Sequence, residues 1–179
     1  MIFDKQSLRI TCRQVRAKIV NKQEQSQAII SKLLSFPAVI KAGSLLAYYP
    51  LENEIGILPL LSKLERDHKK IYIPFFKQLK IGLFNNSLTY VDKLKAYEPS
   101  QPVLKPPLDV IIIPALAFDR SGYRLGQGFG WYDRFLINYT NVLKIGICFQ
   151  EQLLAKIPSS EHDQKVDIII TSQEVINCH

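Results

Sequence analysis

Cysteine is scarce in this chain and has no pairing logic. Cys12, Cys148 and Cys178 are its three cysteines among 179 residues. They form no CxxC and no Cys/His ligand spacing, which argues against a disulfide scaffold and a structural zinc site. Long hydrophobic runs are also missing. The longest, Val110 to Phe118, is interrupted by Pro114 and reaches about half of the ~20 residues that a membrane helix needs. The opening MIFDKQSLRI has no continuous apolar segment of the signal-peptide kind. No repeat or low-complexity tract is visible. Acidic residues are the minority, 16 against 23 Lys+Arg, giving a net charge of +7 and a pI near 9.3. With 47% hydrophobic and 22% charged residues, the chain is too apolar for a disordered polycation and too charged for a membrane bundle. The expectation is a cytoplasmic protein of one domain, residues 1–179, whose core needs no covalent staples. Its positive balance admits two kinds of partner, nucleic acid or a small polyanion.

Periodicity supplies the architecture. Lys5 to Val20 reads as an amphipathic helix, with Leu8, Cys12, Val15 and Ile19 as its apolar stripe and Lys5, Arg9, Arg13 and Arg16 on another face. A second helix is expected over Gln23 to Ser35, ended by Phe36-Pro37. The period then shortens. Leu45 to Tyr49, Ile71 to Phe76 and Leu79 to Phe84 read as strands, and Ile57 to His68 as a helix. Tyr97 to Pro107 carries four prolines and reads as a surface connection. Val110 to Ile113 is nearly all β-branched, the mark of a strand covered on both faces. Trp131 to Tyr139 reads as a helix, and Lys144 to Phe149 and Asp167 to Thr171 as further buried strands. Strands alternating with helices predict an α/β fold with a largely parallel sheet between helical layers.

Glycine is spent in one place. Of eight glycines, four fall between Gly122 and Gly130, in FDRSGYRLGQGFGWYDR. This segment joins the most buried strand to a helix, and in open parallel sheets ligands bind beyond the carboxyl ends of strands. Glycines let a backbone approach an anion closely, and the free N–H groups that open a helix face it. The loop is no Walker sequence, since no Gly-Lys-Ser/Thr follows, and its spacing differs from the dinucleotide fingerprint. Arg124, Asp133 and Arg134 flank it. A guanidinium fork suits phosphate, and a hard carboxylate suits a magnesium-bound nucleotide.

RLGQGFGWYDRFL resembles the signature of the 5-formyltetrahydrofolate cyclo-ligase (5,10-methenyltetrahydrofolate synthetase) family, Arg-Leu-Gly-x-Gly-x-Gly-aromatic-Tyr-Asp. KQSLR near the start, ENEI after the first strand, IPALAFD and KVD follow in the family's order, so the resemblance spans nearly the whole chain. It implies a three-layer α/β/α sandwich related to phosphosugar isomerases and CoA transferases. It also implies cyclisation of 5-formyltetrahydrofolate, with or without a polyglutamate tail, to 5,10-methenyltetrahydrofolate, using ATP and Mg2+ and releasing ADP and phosphate. In the family's proposed chemistry the formyl oxygen, a poor leaving group, is first phosphorylated.

The resemblance places Lys5, Gln6, Ser7, Leu8 and Arg9 on ATP, together with Arg124, Leu125, Gly126, Gln127, Gly128, Phe129, Gly130, Trp131 and Tyr132. Arg124 is the residue it makes catalytic. Asp133 and Asp167 would hold magnesium. Glu54 matches the folate-binding glutamate, and Tyr49, Gln127, Gly128 and Trp131 match positions lining the folate. Three residues depart from the pattern: Phe129 stands where glycine or lysine is common, Gln127 where some members have arginine, and Trp131 where Tyr or Phe is usual.

Plainer readings exist for several of these residues. A charged stripe on a helix is by default a solvated face, and Asp167 can simply begin a strand. A basic nucleic-acid module would need aromatics interleaved with basic residues on an exposed surface, whereas most aromatics here lie in apolar runs. A sugar-phosphate isomerase on the same fold would keep the phosphate loop without needing ATP. The expected partner is therefore a small molecule, with no nucleic acid and no membrane, on a monomer.

Overall fold

A computed structural model describes residues 4–85, 87–92, 95–103 and 105–178. Helix α1 (Lys5–Lys18) starts where Asp4 accepts hydrogen bonds from the N–H groups of Gln6 and Ser7, at 2.7 and 3.1 Å. That N-cap satisfies two donors the helix leaves unpaired. The inward face of α1 differs from the expected stripe. Val15 is 38% exposed, while Arg16 is buried with Cys12 and Ile19. Steps of four, four and three from Leu8 run through Arg16, so a charge occupies the position that simple amphipathicity gave to valine.

Helix α2 (Lys22–Ser35) ends as expected at Phe36, and Pro37 opens the short α3 (Pro37–Lys41). Strand β1 (Ser44–Leu46) follows, then α4 (Leu58–Arg66), β2 (Lys70–Phe75) and β3 (Lys80–Leu83). A hairpin pairs β4 (Leu88–Val91) with β5 (Ala96–Pro99). The expected surface connection from Tyr97 thus begins inside a strand. The buried Glu98 ties that strand down by accepting the Phe76 N–H at 2.8 Å.

The remaining elements are β6 (Val110–Pro114), β7 (Ala117–Asp119), β8 (Arg124–Leu125), α5 (Trp131–Leu136), β9 (Leu143–Ile147), β10 (Leu153–Leu154), β11 (Ile168–Ile170) and β12 (Val175–Asn177). Helix α5 is shorter than the sequence pattern suggested. Asn138 and Tyr139 donate to the carbonyls three residues back, tightening the last turn instead of extending it.

The main sheet has the order β12-β11-β9-β6-β1-β2-β3. Its five inner strands are parallel, and each edge strand runs antiparallel to its neighbour. Along β6, Val110 and Ile112 join a core with Ile29, Leu33, Leu60 and Leu61 of α2 and α4. Ile111 and Ile113 point to the other side, where Trp131, Phe135 and Leu136 of α5 cover them. Helices therefore lie on both faces, which explains why β6 is apolar throughout. This is the expected three-layer α/β/α arrangement. Strand order reverses between β1, which leads to β2 on one side, and β6, which leads to β9 on the other. The carboxyl ends of β1 and β6 flank that switch, the usual ligand position in open α/β sheets. Among the described residues no helix is long and apolar enough to cross a membrane.

Candidate active site

The residues after β1 and β6 meet α1 and the glycine loop at this switch. The loop is held from outside by the basic stripe of α1. Arg9 donates its Nε–H to the Gly126 carbonyl at 3.0 Å. Arg13 donates to the Gln127 side-chain oxygen at 3.3 and 3.1 Å and to its carbonyl at 3.4 Å. Lys5 pairs with Asp163 at 2.5 Å. The stripe is a docking face, not a solvated one. Gly128 and Gly130 take φ of 109° and 62°, a region that side chains disfavour. Phe129 between them is 76% exposed.

Behind the loop, Arg124 is buried. Its guanidinium donates to Asp133 Oδ1 and to the Gln164 carbonyl, both at 2.5 Å, and lies over the Tyr132 ring. Burial pulls the Arg124 pKa below its usual value, and the Asp133 charge opposes that shift. Asp133, in the first turn of α5, also accepts the Gln164 N–H at 3.1 Å. Trp131 stacks on Phe135 with ring centroids 4.7 Å apart and meets Phe76 edge-on at 5.7 Å. Among the described residues the buried Trp131 indole nitrogen and Tyr132 hydroxyl find no hydrogen-bond partner. Burial raises the Tyr132 pKa, with the Glu54 charge adding to it.

Glu54 sits across the switch, in the loop after β1. One carboxylate oxygen lies 3.6 Å from the Arg16 guanidinium, and the other accepts the Leu51 N–H at 3.1 Å. Burial raises the Glu54 pKa above the ordinary carboxylate range, although the Leu51 N–H and Arg16 pull the other way. Tyr48 hydrogen-bonds the Ile55 carbonyl, and Tyr49 packs on Tyr97 of β5 at 4.6 Å. Between Arg16, Tyr48, Glu54, Pro114 and Gln152 lies a cavity of about 10 Å³, room for about one water.

The structure thus gathers Glu54, Tyr132, Arg124 and the glycine loop around one switch point, with Arg9 and Arg13 bracing the loop. It does not give the two aspartates a common partner. Asp167 precedes β11 at the amino end of the sheet, where it accepts the Lys144 N–H at 2.7 Å and pairs with the Lys144 ammonium at 3.7 Å. Those contacts are the ones the strand-start reading anticipates. Among the described residues no three His, Cys, Asp or Glu side chains cluster as a metal site. Sequence reasoning passed over Arg13, Arg16, Asp163 and Gln164 as site residues. The available signal was the four-residue step from Cys12 to Arg16 and from Arg9 to Arg13, which gives each arginine a fixed direction.

A glycine loop closed onto a helix, at the switch point of a doubly covered parallel sheet, defines a small-ligand-binding α/β protein. The chain belongs to the 5-formyltetrahydrofolate cyclo-ligase family, whose sequence model matches residues 2–172, and it is an enzyme of that family. The 5-formyltetrahydrofolate cyclo-ligase of Escherichia coli K12 is 31% identical over 166 residues, covering 86% of this chain and 91% of that protein. That of Haemophilus influenzae is 25% identical over 190 residues, covering 93% and 97%. The NMR structure of Aquifex aeolicus 5,10-methenyltetrahydrofolate synthetase superposes with a TM-score of 0.83 at 28% identity, covering 97% of this chain and 92% of that one.

Proposed function

We propose that this enzyme uses ATP and magnesium to cyclise 5-formyltetrahydrofolate to 5,10-methenyltetrahydrofolate, as one domain over residues 1–179, monomeric and cytoplasmic, in one-carbon folate metabolism. The observation that carries this reading is the convergence of a cation-braced glycine loop and a buried carboxylate on one switch point. The first suits a polyphosphate, the second the paired N–H donors of a pterin.

The donor set fits a magnesium-nucleotide. Two glycines at positive φ leave the loop backbone open to phosphate oxygens, and the loop runs from Gly126 to Gly130 with Leu125 behind it. Lys5, Gln6, Ser7, Leu8 and Arg9 form the opposing wall, the cations balancing phosphate charge. Asp133 is the nearer magnesium ligand, since its carboxylate is 29% exposed at the loop; Asp167 would have to leave Lys144 to join it. Bound ATP supplies the phosphoryl group that turns the formyl oxygen into a leaving group. Arg124 keeps a fixed positive charge behind the loop, close to Tyr132, where it favours negative charge building on that oxygen. Glu54 orients the pterin by accepting its N–H donors, and Tyr49, Gln127, Gly128 and Trp131 line the folate. The indole N–H of Trp131 and the Tyr132 hydroxyl gain partners when ligands fill the space. A cavity of about 10 Å³ beside Glu54 is far below the ~300 Å³ of small ligand pockets, so binding requires its walls to part.

The test is to mix the protein with 5-formyltetrahydrofolate, ATP and magnesium and follow the near-ultraviolet absorbance of the methenyl product. Product formation that needs both ATP and metal is expected. ATP-independent turnover of a sugar phosphate would replace this reading with an isomerase.

A further inference from the structure

Arg16 has no part in the phosphate-facing half of the site, yet it is buried on the inner face of α1. Its guanidinium and the Glu54 carboxylate are 9% and 10% exposed, face each other at 3.6 Å, and line the same small cavity. We propose that Arg16 is a positioning residue for substrate recognition, holding the Glu54 carboxylate charged and turned toward the donors of the substrate. The inference rests on the folate reading of Glu54 given above.

The Glu54 carboxylate is approached from three elements. Arg16 reaches it from α1, Tyr48 from the end of β1 and Tyr132 from α5. Arg16 is the cation among them; the phenols are neutral. The Leu51 N–H satisfies one oxygen, leaving the other to Arg16. A carboxylate this deeply buried favours its protonated form unless a positive charge compensates. Once protonated it would present an O–H to the N–H groups it must accept from, and the match would be lost. Arg16 therefore acts through Glu54 and need not touch substrate. A lysine could supply the same charge, with less directional bonding.

A helix-to-loop tether alone would predict a different response to pH, and that separates the two roles. Binding of 5-formyltetrahydrofolate is measured by calorimetry across neutral and alkaline pH for wild type, Arg16→Met and Arg16→Lys. Arg16→Met is expected to bind roughly tenfold more weakly for each unit by which the Glu54 pKa comes to exceed the pH of measurement, and to recover as pH increases. Arg16→Lys is expected to stay near wild type, and ATP affinity to be unchanged in both. Should Arg16→Met not fold, Arg16→Gln, which keeps a polar stem without charge, carries the same comparison. A folded neutral variant with unchanged folate affinity, or with a loss equal at every pH, overturns the proposal. If Glu54→Gln itself leaves folate affinity intact, the substrate reading and this inference fall together. If Glu54→Gln weakens binding while the neutral Arg16 variants show no alkaline recovery, only the positioning role falls.

Discussion

Two arginine–carboxylate pairs with buried arginines stand on opposite sides of the switch point, and they are built differently. Arg124 and Asp133 touch at 2.5 Å, with the arginine side chain 4% exposed and the aspartate 29%. Arg16 and Glu54 stand 3.6 Å apart, both about a tenth exposed. In the first pair the cation is buried while its carboxylate, also bonded to the Gln164 N–H, keeps part of its surface in water. In the second, both charges have left water. At an effective dielectric of ~20, charges ~4 Å apart attract by ~4 kcal/mol, while removing each ion from water costs several kcal/mol. Burial raises the pKa of Glu54 above the ordinary range, and the Arg16 charge holds that rise in check. Under the proposed function the first pair handles anions and metal and the second reads a neutral donor pattern.

The largest effect should come from Arg124→Ala. It leaves Asp133 and the Gln164 carbonyl without their cation, and breaking a buried pair costs ~3–5 kcal/mol. Turnover should collapse with a lowered melting temperature and circular dichroism that still shows a folded chain; wild-type turnover would remove Arg124 from the machinery. Next is Glu54→Gln, which swaps an acceptor for a donor. Folate binding should weaken by ~1.5–3 kcal/mol, the scale of a charged hydrogen bond, with ATP binding unaltered in calorimetry. An equal loss for both ligands would blur the division between the two pairs.

The wild-type protein should show the same division as a function of pH. The folded-state pKa of Glu54 lies above the ordinary value, so the charged form disappears as pH falls through that raised value. Folate affinity should drop there while ATP affinity follows no such step, as paired titrations would reveal. Asp133→Asn should raise the magnesium concentration needed for half-maximal rate, with a smaller effect on folate binding. The smallest effect belongs to the exposed Lys63–Asp67 pair on α4. Lys63→Ala should leave turnover unchanged, since solvated pairs on one helix contribute little.

The sheet was legible because its signals are local: β-branched runs, prolines that end helices, and glycines gathered in one loop. The glycine loop and Glu54 could be singled out for similar reasons. The position of Arg16 was not legible. Its side chain turns inward to Glu54, 38 residues away in sequence; the step from Cys12 points there, but hydrophobicity assigns the inward slot to the more apolar Val15. Asp167 illustrates the opposite difficulty. Its sequence neighbourhood fits both a metal ligand and a strand start, and its contacts with Lys144 depend on the register between β9 and β11, which no local pattern encodes. The β4–β5 hairpin was hidden by proline content, since Pro99 closes the strand and does not exclude it.

The bracing of the loop by α1 has a consequence for synthesis. Lys5, Arg9 and Arg13 bind residues 158, 117 and 114 positions further along the chain. A nascent chain therefore releases this helix from the ribosome long before its partners exist, at elongation rates of ~5–20 residues per second. During that interval its buried Cys12 faces water, and the helix is left to its N-cap, its own hydrogen bonds and the nearer partner of Arg16, Glu54. The contact between α1 and the glycine loop can close only when the last third of the chain has emerged, so a truncated or stalled product would carry the basic helix without the loop it holds.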